Sequence, residues 1–149
     1  MDKLLTFLKS IPEYSLLLES IQKGEAAAVT GIGQLNRSHL IAALRRDTDA
    51  PMVIVCQDDM AAKRLAEELH AFLGEQFPIL PSRDLTLYDT AVVSRGWEQK
   101  RLRQLYDLAT GTTSLQILSW EALSQRTMPR DVLLRAAFTL ETGNEYLPI

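Results

Sequence analysis

Ala26-Ala27-Ala28-Val29-Thr30-Gly31-Ile32-Gly33-Gln34-Leu35-Asn36-Arg37-Ser38-His39-Leu40-Ile41 has the outline of a phosphate-binding loop set between a strand and a helix. The apolar run 26–30 predicts a buried strand, and the residues from Ser38 onward lead into a helix with Leu40, Ile41 and Leu44 facing inward. The chemistry of such a loop is missing. A working G-x-x-x-x-G-K-[ST] loop needs a lysine on the outer phosphates and a hydroxyl on the magnesium. Counting from Gly33, those places hold Gln34 and Leu35, and Ala28 stands where the first glycine belongs. The stretch therefore predicts a nucleotide-binding architecture without its nucleotide, with no catalytic residue, no cofactor and no metal. Thr30, Gly31 and Gly33 could still present backbone N–H groups to an anion at a helix N-terminus. The plainer reading is a strand-to-helix turn that uses glycine's backbone freedom. Arg37 reads as a solvated first-turn residue rather than a substitute phosphate ligand.

Working outward, 4–11 and 14–21 carry apolar residues at helical spacing, interrupted at Pro12 and closed by Gly24. Residues 52–56, Met-Val-Ile-Val-Cys, form an unbroken apolar run that predicts a strand buried on both faces. Asp58 or Asp59 can cap a helix over 60–73 whose inner stripe is Ala62, Leu65, Ala66, Leu69 and Phe72. Short strands are predicted at 77–80 and 115–118, a helix at 97–109 and a short helix capped by Ser119. A helical turn at 131–137 and a strand-like 138–141 follow. Alternating strands and helices with short connections predict an α/β fold. It is a three-layer, doubly wound, mostly parallel sheet of the RecA-like, P-loop-NTPase-like kind with a degenerate phosphate loop.

The chain has 149 residues, 46% of them hydrophobic, enough for one real core, and its net charge of −3 argues against a generally electrostatic nucleic-acid or membrane binder. Cys56 lies in an apolar run and reads as a buried thiol of a cytoplasmic protein. No apolar run approaches the roughly 20 residues of a membrane span. The first nine residues are too charged and short for a secretory signal.

Two surfaces stand out as interaction candidates. Arg95, Lys100, Arg101 and Arg103 cluster beside Trp97, diluted by Glu98 and Asp107. A solvated helix face is the bland reading, and a DNA-binding stripe is the sharper one. Arg83, Asp84, Tyr88 and Asp89 lie on a loop, where polar and aromatic residues serve either recognition or an internal brace. Asp58-Asp59 is better read as a helix cap than a magnesium pair. His39 and His70 are isolated, and no serine sits in a G-x-S-x-G setting.

The order of these segments resembles one family. The Val29-Thr30-Gly31 loop, Pro51-Met-Val-Ile-Val-Cys56, Leu80-Pro-Ser-Arg-Asp-Leu-Thr-Leu-Tyr-Asp89, Leu118-Ser-Trp-Glu-Ala-Leu123 and Gly143-Asn-Glu-Tyr146 look like the N-terminal part of bacterial transcription-repair coupling factor. That part is itself similar to the first domain of the excision-repair protein UvrB. Leu87 stands where the family commonly has a proline, and 88–94 is far too short for UvrB's DNA-clamping hairpin. The resemblance implies a UvrB-like first domain over 1–137 and the truncated start of a UvrA-binding domain over 138–149. It further implies a large cytoplasmic parent that displaces stalled RNA polymerase and moves on DNA by ATP hydrolysis. UvrA would be contacted through the adjoining domain, RNA polymerase and DNA through distant parts, and other domains of the parent through this one. On that footing the chain is a non-catalytic scaffold in nucleotide excision repair. The alternatives are an active nucleotide-dependent enzyme using Arg37 and Ser38, or a DNA-binding module.

Overall fold

Pro12 and Gly24 divide the N-terminal region as their backbone preferences require. In the computed structural model, which describes residues 2–82, 95–139 and 142–143, α1 (Asp2–Phe7) runs into a short 3₁₀ turn. Pro12 then opens α2 (Pro12–Lys23) at the position where its missing N–H costs nothing. Gly24 closes α2 in the left-handed conformation, φ 69°.

The remaining elements are α3 (Gln34–Asp47), β1 (Met52–Cys56), α4 (Asp59–Leu73), β2 (Ile79–Leu80), α5 (Arg95–Ala109), β3 (Leu115–Ser119), α6 (Trp120–Ser124) and α7 (Arg130–Ala136). The strands form an all-parallel sheet in the order β1-β3-β2, with Ile54 opposite Ile117 and Leu80 opposite Leu118. The connection through α4 passes over β3 to reach β2, and the connection through α5 returns. Successive right-handed crossovers in opposite directions must place their helices on opposite faces. The packing agrees. Leu69 and Ala62 of α4 join Leu115 and Ile117 in the main core, with Leu5, Tyr14, Ala42 and Ala43 from the N-terminal helices. Leu105 of α5 packs on Leu80, Leu118 and Ala122 across the sheet. The architecture is the three-layer, doubly wound α/β arrangement that the alternation predicted, consistent with a RecA-like fold.

Several expectations change. Residues 26–30 form no strand but run as exposed, irregular chain. Three successive alanines have weak strand preference and little apolar surface to bury, so nothing holds this run in the sheet. The following helix begins at Gln34, ahead of Ser38, which is buried inside it. β1 is covered on one face only: Met52, Ile54 and Cys56 pack on the main core, while Val53 and Val55 are 57% and 45% exposed. On that second face, among the described residues, Leu105 of α5 packs on Leu80 of β2, and Val53 and Val55 of the edge strand β1 stay largely exposed. Phe138 and Thr139 belong to no strand, and residues 140–141 lie outside the described residues.

Local signals that held are the helix caps. Asp58 Oδ1 accepts from the Ala61 N–H at 2.7 Å, and Ser119 Oγ accepts from the Ala122 N–H at 3.1 Å. No helix among the described residues is long and apolar enough to cross a membrane.

Candidate functional site

The stretch read in the sequence as a phosphate loop lies between α2 and α3 in the chain. Gly31 turns the chain with φ 76°, a conformation that favours glycine, whereas Gly33 is extended (φ −63°, ψ 157°) and serves as the N-cap of α3. No side chain caps that end, and its first turn carries no acid. Thr30, Gln34 and Arg37 are all exposed. The loop borders a cavity of about 750 Å³ whose walls are mainly apolar, including Phe7, Leu8, Ile11, Leu17 and Val29. A polyphosphate needs a counter-charge there, and no Lys or Arg lines this wall among the described residues.

Two polar residues that line that cavity, Tyr14 and His39, hold helices together. The Tyr14 hydroxyl donates to Asp47 Oδ2 at 2.9 Å, and Lys9 Nζ lies 3.0 Å from Asp47 Oδ1. Burial alone would raise Asp47, but hydrogen bonds from Lys9 and Tyr14, with the charges of Lys9 and Arg46, outweigh it and lower its pKa. Tyr14 is pushed well above its ordinary value by burial, then by its hydrogen bond to Asp47 and that carboxylate's charge. His39 Nε2 lies 2.9 Å from the Leu4 carbonyl, so that nitrogen carries the proton, and the ring stacks on Phe72 at 5.5 Å. His70 Nδ1 similarly meets the Glu75 carbonyl at 3.0 Å. No group of three metal-binding side chains occurs among the described residues. Cys56 is only half-buried, yet burial and then the charge of Asp58 raise its pKa, the reverse of an activated thiolate.

A second concave site lies at the carboxyl ends of β2 and β3, the edge where open α/β sheets place their ligands. Its centre is Arg101, only 5% exposed. The guanidinium donates through Nη1 to the Pro81 carbonyl at 2.9 Å and through Nη2 to the Ala122 carbonyl at 3.0 Å, tying together the chain just beyond each strand. Its Cζ lies 5.9 Å from the centre of the Trp97 ring, and the Trp97 indole N–H donates to the Ser82 carbonyl. The Ser82 hydroxyl in turn donates to Asp59 Oδ2. Burial lowers the Arg101 pKa. Arg101 forms no ion pair among the described residues. A cavity of about 550 Å³ opens beside it, lined also by Trp97, Glu98, Leu105, Arg126 and Met128.

The structure therefore divides the basic cluster expected on α5. Lys100 and Arg103 are exposed, Arg103 pairing with Asp107 at 3.1 Å, while Arg101 faces inward. Arg95 is the first residue of α5. Arg83, Asp84, Tyr88 and Asp89 lie outside the described residues. The inward turn of Arg101 was readable: Trp97, Arg101, Leu105 and Leu108 recur at helical spacing, which puts the arginine in the apolar row. Arg126 and Met128 carried no local signal, because only the fold brings their loop against α5.

Similarity to known proteins covers nearly the whole chain. A transcription-repair-coupling factor of Myxococcus xanthus is 28% identical over 141 residues, spanning 89% of this chain. One of Bacillus subtilis is 21% identical over 150 residues, spanning 99%. Its relatives are transcription-repair coupling factors. The chain covers only 12% and 13% of the length of these two coupling factors. No family model matches it, and no solved structure gives a significant match.

Proposed function

We propose that this chain is a non-catalytic scaffold and interaction domain of a transcription-repair coupling factor, acting in the cytoplasm in transcription-coupled excision repair. The observation that carries the reading is the sequence at 33–35: after Gly33, where a phosphate loop needs a lysine and a hydroxyl, this chain has Gln34 and Leu35. No strand leads into that loop, and the neighbouring cavity is walled by apolar side chains. The UvrB-like domain occupies 1–137, and 138–149 begins the adjoining UvrA-binding domain. Within the parent, this domain braces that neighbour and contacts other domains. ATP-driven movement on DNA and contact with RNA polymerase belong to distant parts.

Calorimetric titration with ATP and magnesium tests the first half of this reading. The expected result is no binding, and a micromolar dissociation constant overturns it. A pull-down with UvrA tests the second half, comparing this chain with a form extended by about 100 residues, a typical domain's length. Capture by the extended form alone is expected. Equal capture by both forms refutes the boundary.

A further inference from the structure

A buried arginine whose hydrogen bonds among the described residues all run to neutral carbonyls is unusual in a protein interior. Two carbonyl dipoles satisfy two of its five N–H donors but do not neutralise its charge. Arg101 also sits where a ligand can reach it, lining the cavity at the carboxyl edge of the sheet. The charges around that cavity are specific in number. Among the described residues that line it, Arg101 and Arg126 are opposed by Glu98, leaving a single net positive charge. One net charge complements one carboxylate and falls short of a di- or triphosphate. Trp97, Leu105 and Met128 supply apolar wall beside the charged groups, as a side chain next to an acid would need.

We infer that the cavity formed by Trp97, Arg101, Leu105, Arg126 and Met128 is a docking site for a partner-protein segment carrying an Asp or Glu beside an apolar residue. The acid approaches the guanidinium side, Arg126 at the exposed rim gives the second positive charge, and the neighbouring residue lies on Trp97 and Met128. This does not rest on the scaffold reading. ATP binding at the loop remnant would overturn that reading and leave this one untouched.

The test is NMR titration of the labelled chain with acetyl-Leu-Glu-Phe-amide, alongside acetyl-Leu-Gln-Phe-amide, inorganic phosphate and magnesium ATP. The expected result is saturation of the Trp97 indole N–H and Met128 methyl shifts at a dissociation constant on the order of 1 mM for the glutamate peptide. The glutamine peptide should bind about tenfold more weakly, as loss of a charge-assisted hydrogen bond implies. Arg126→Ala, an exposed change that leaves the fold intact, should weaken the glutamate peptide about two- to fivefold, the worth of a rim ion pair. No saturation by about 20 mM, equal affinity for the two peptides, or an unaltered affinity in Arg126→Ala overturns the proposal. So does tighter binding of phosphate or ATP at the same resonances, which would make the cavity a polyphosphate site.

Discussion

Replacing Tyr14 by Phe removes one hydroxyl from the Tyr14–Asp47–Lys9 contact that fastens α2 to the end of α3, and the size and pH dependence of the loss can be worked out. The hydroxyl donates to an ionised carboxylate at 2.9 Å, and both side chains are buried. A hydrogen bond to a charged group contributes about 1.5–3 kcal/mol. Asp47 keeps Lys9 and Arg46 in the variant, so it is not stranded, and the cost belongs at the low end, about 1.5 kcal/mol. For a chain of this size that lowers Tm by about 3–6 °C. The sign of the pH dependence follows from Asp47. Its folded pKa is depressed, so its contribution is complete above the unfolded value near 4 and is lost as pH falls through the folded one. A neutral acid accepts a weaker hydrogen bond, so the gap between wild type and Tyr14→Phe should shrink by about half toward pH 2–3. Tyr14 behaves oppositely. Its raised pKa stabilises the fold fully below about pH 10, and that contribution is lost as pH rises beyond it, so the gap narrows on the alkaline side as well. Thermal unfolding followed by circular dichroism from pH 2.5 to 11 measures this. A gap that stays constant with pH, or a variant as stable as wild type at pH 7, refutes the assignment.

Two further outcomes test the core and the loop. Ile117→Ala in the fully buried centre of β3 should cost about 2–5 kcal/mol in urea unfolding, whereas Leu102→Ala on the exposed side of α5 should cost less than about 0.5 kcal/mol. Gly31→Ala should cost about 1 kcal/mol from the left-handed backbone alone, since a Cβ there meets no atom within 4 Å. A neutral result would mean that the loop turns differently in solution.

Much of this fold was legible because its signals are local. Asp58, Ser119 and Pro12 start their helices and Gly24 closes one as their chemistry dictates, and the apolar runs at 52–56 and 115–118 supply two of the three strands. What failed depended on which neighbour covers which face. The run at 26–30 reads as apolar in one dimension yet finds no partner strand, and Val53 and Val55 read as buried until α5 is seen to sit over β2. Arg101 carries the same lesson in reverse. Its charge suggested water, while its place in the row with Trp97 and Leu105 decided burial. Gln116, buried in the central strand, donates to the Pro78 carbonyl at 2.9 Å, a contact 38 residues away that no local pattern announces.

The exposed valines on the outer face of β1 bear on how the isolated chain behaves at high concentration. Among the described residues β1 pairs only with β3, so its far edge offers a row of backbone groups beside two exposed valines. An edge of that kind recruits other edges, and its hazard grows with concentration rather than with any loss of folding. Solubility and stability are therefore separable in this molecule. Lysine at Val53 or Val55 acts on the first while leaving the packed face of Met52, Ile54 and Cys56 intact.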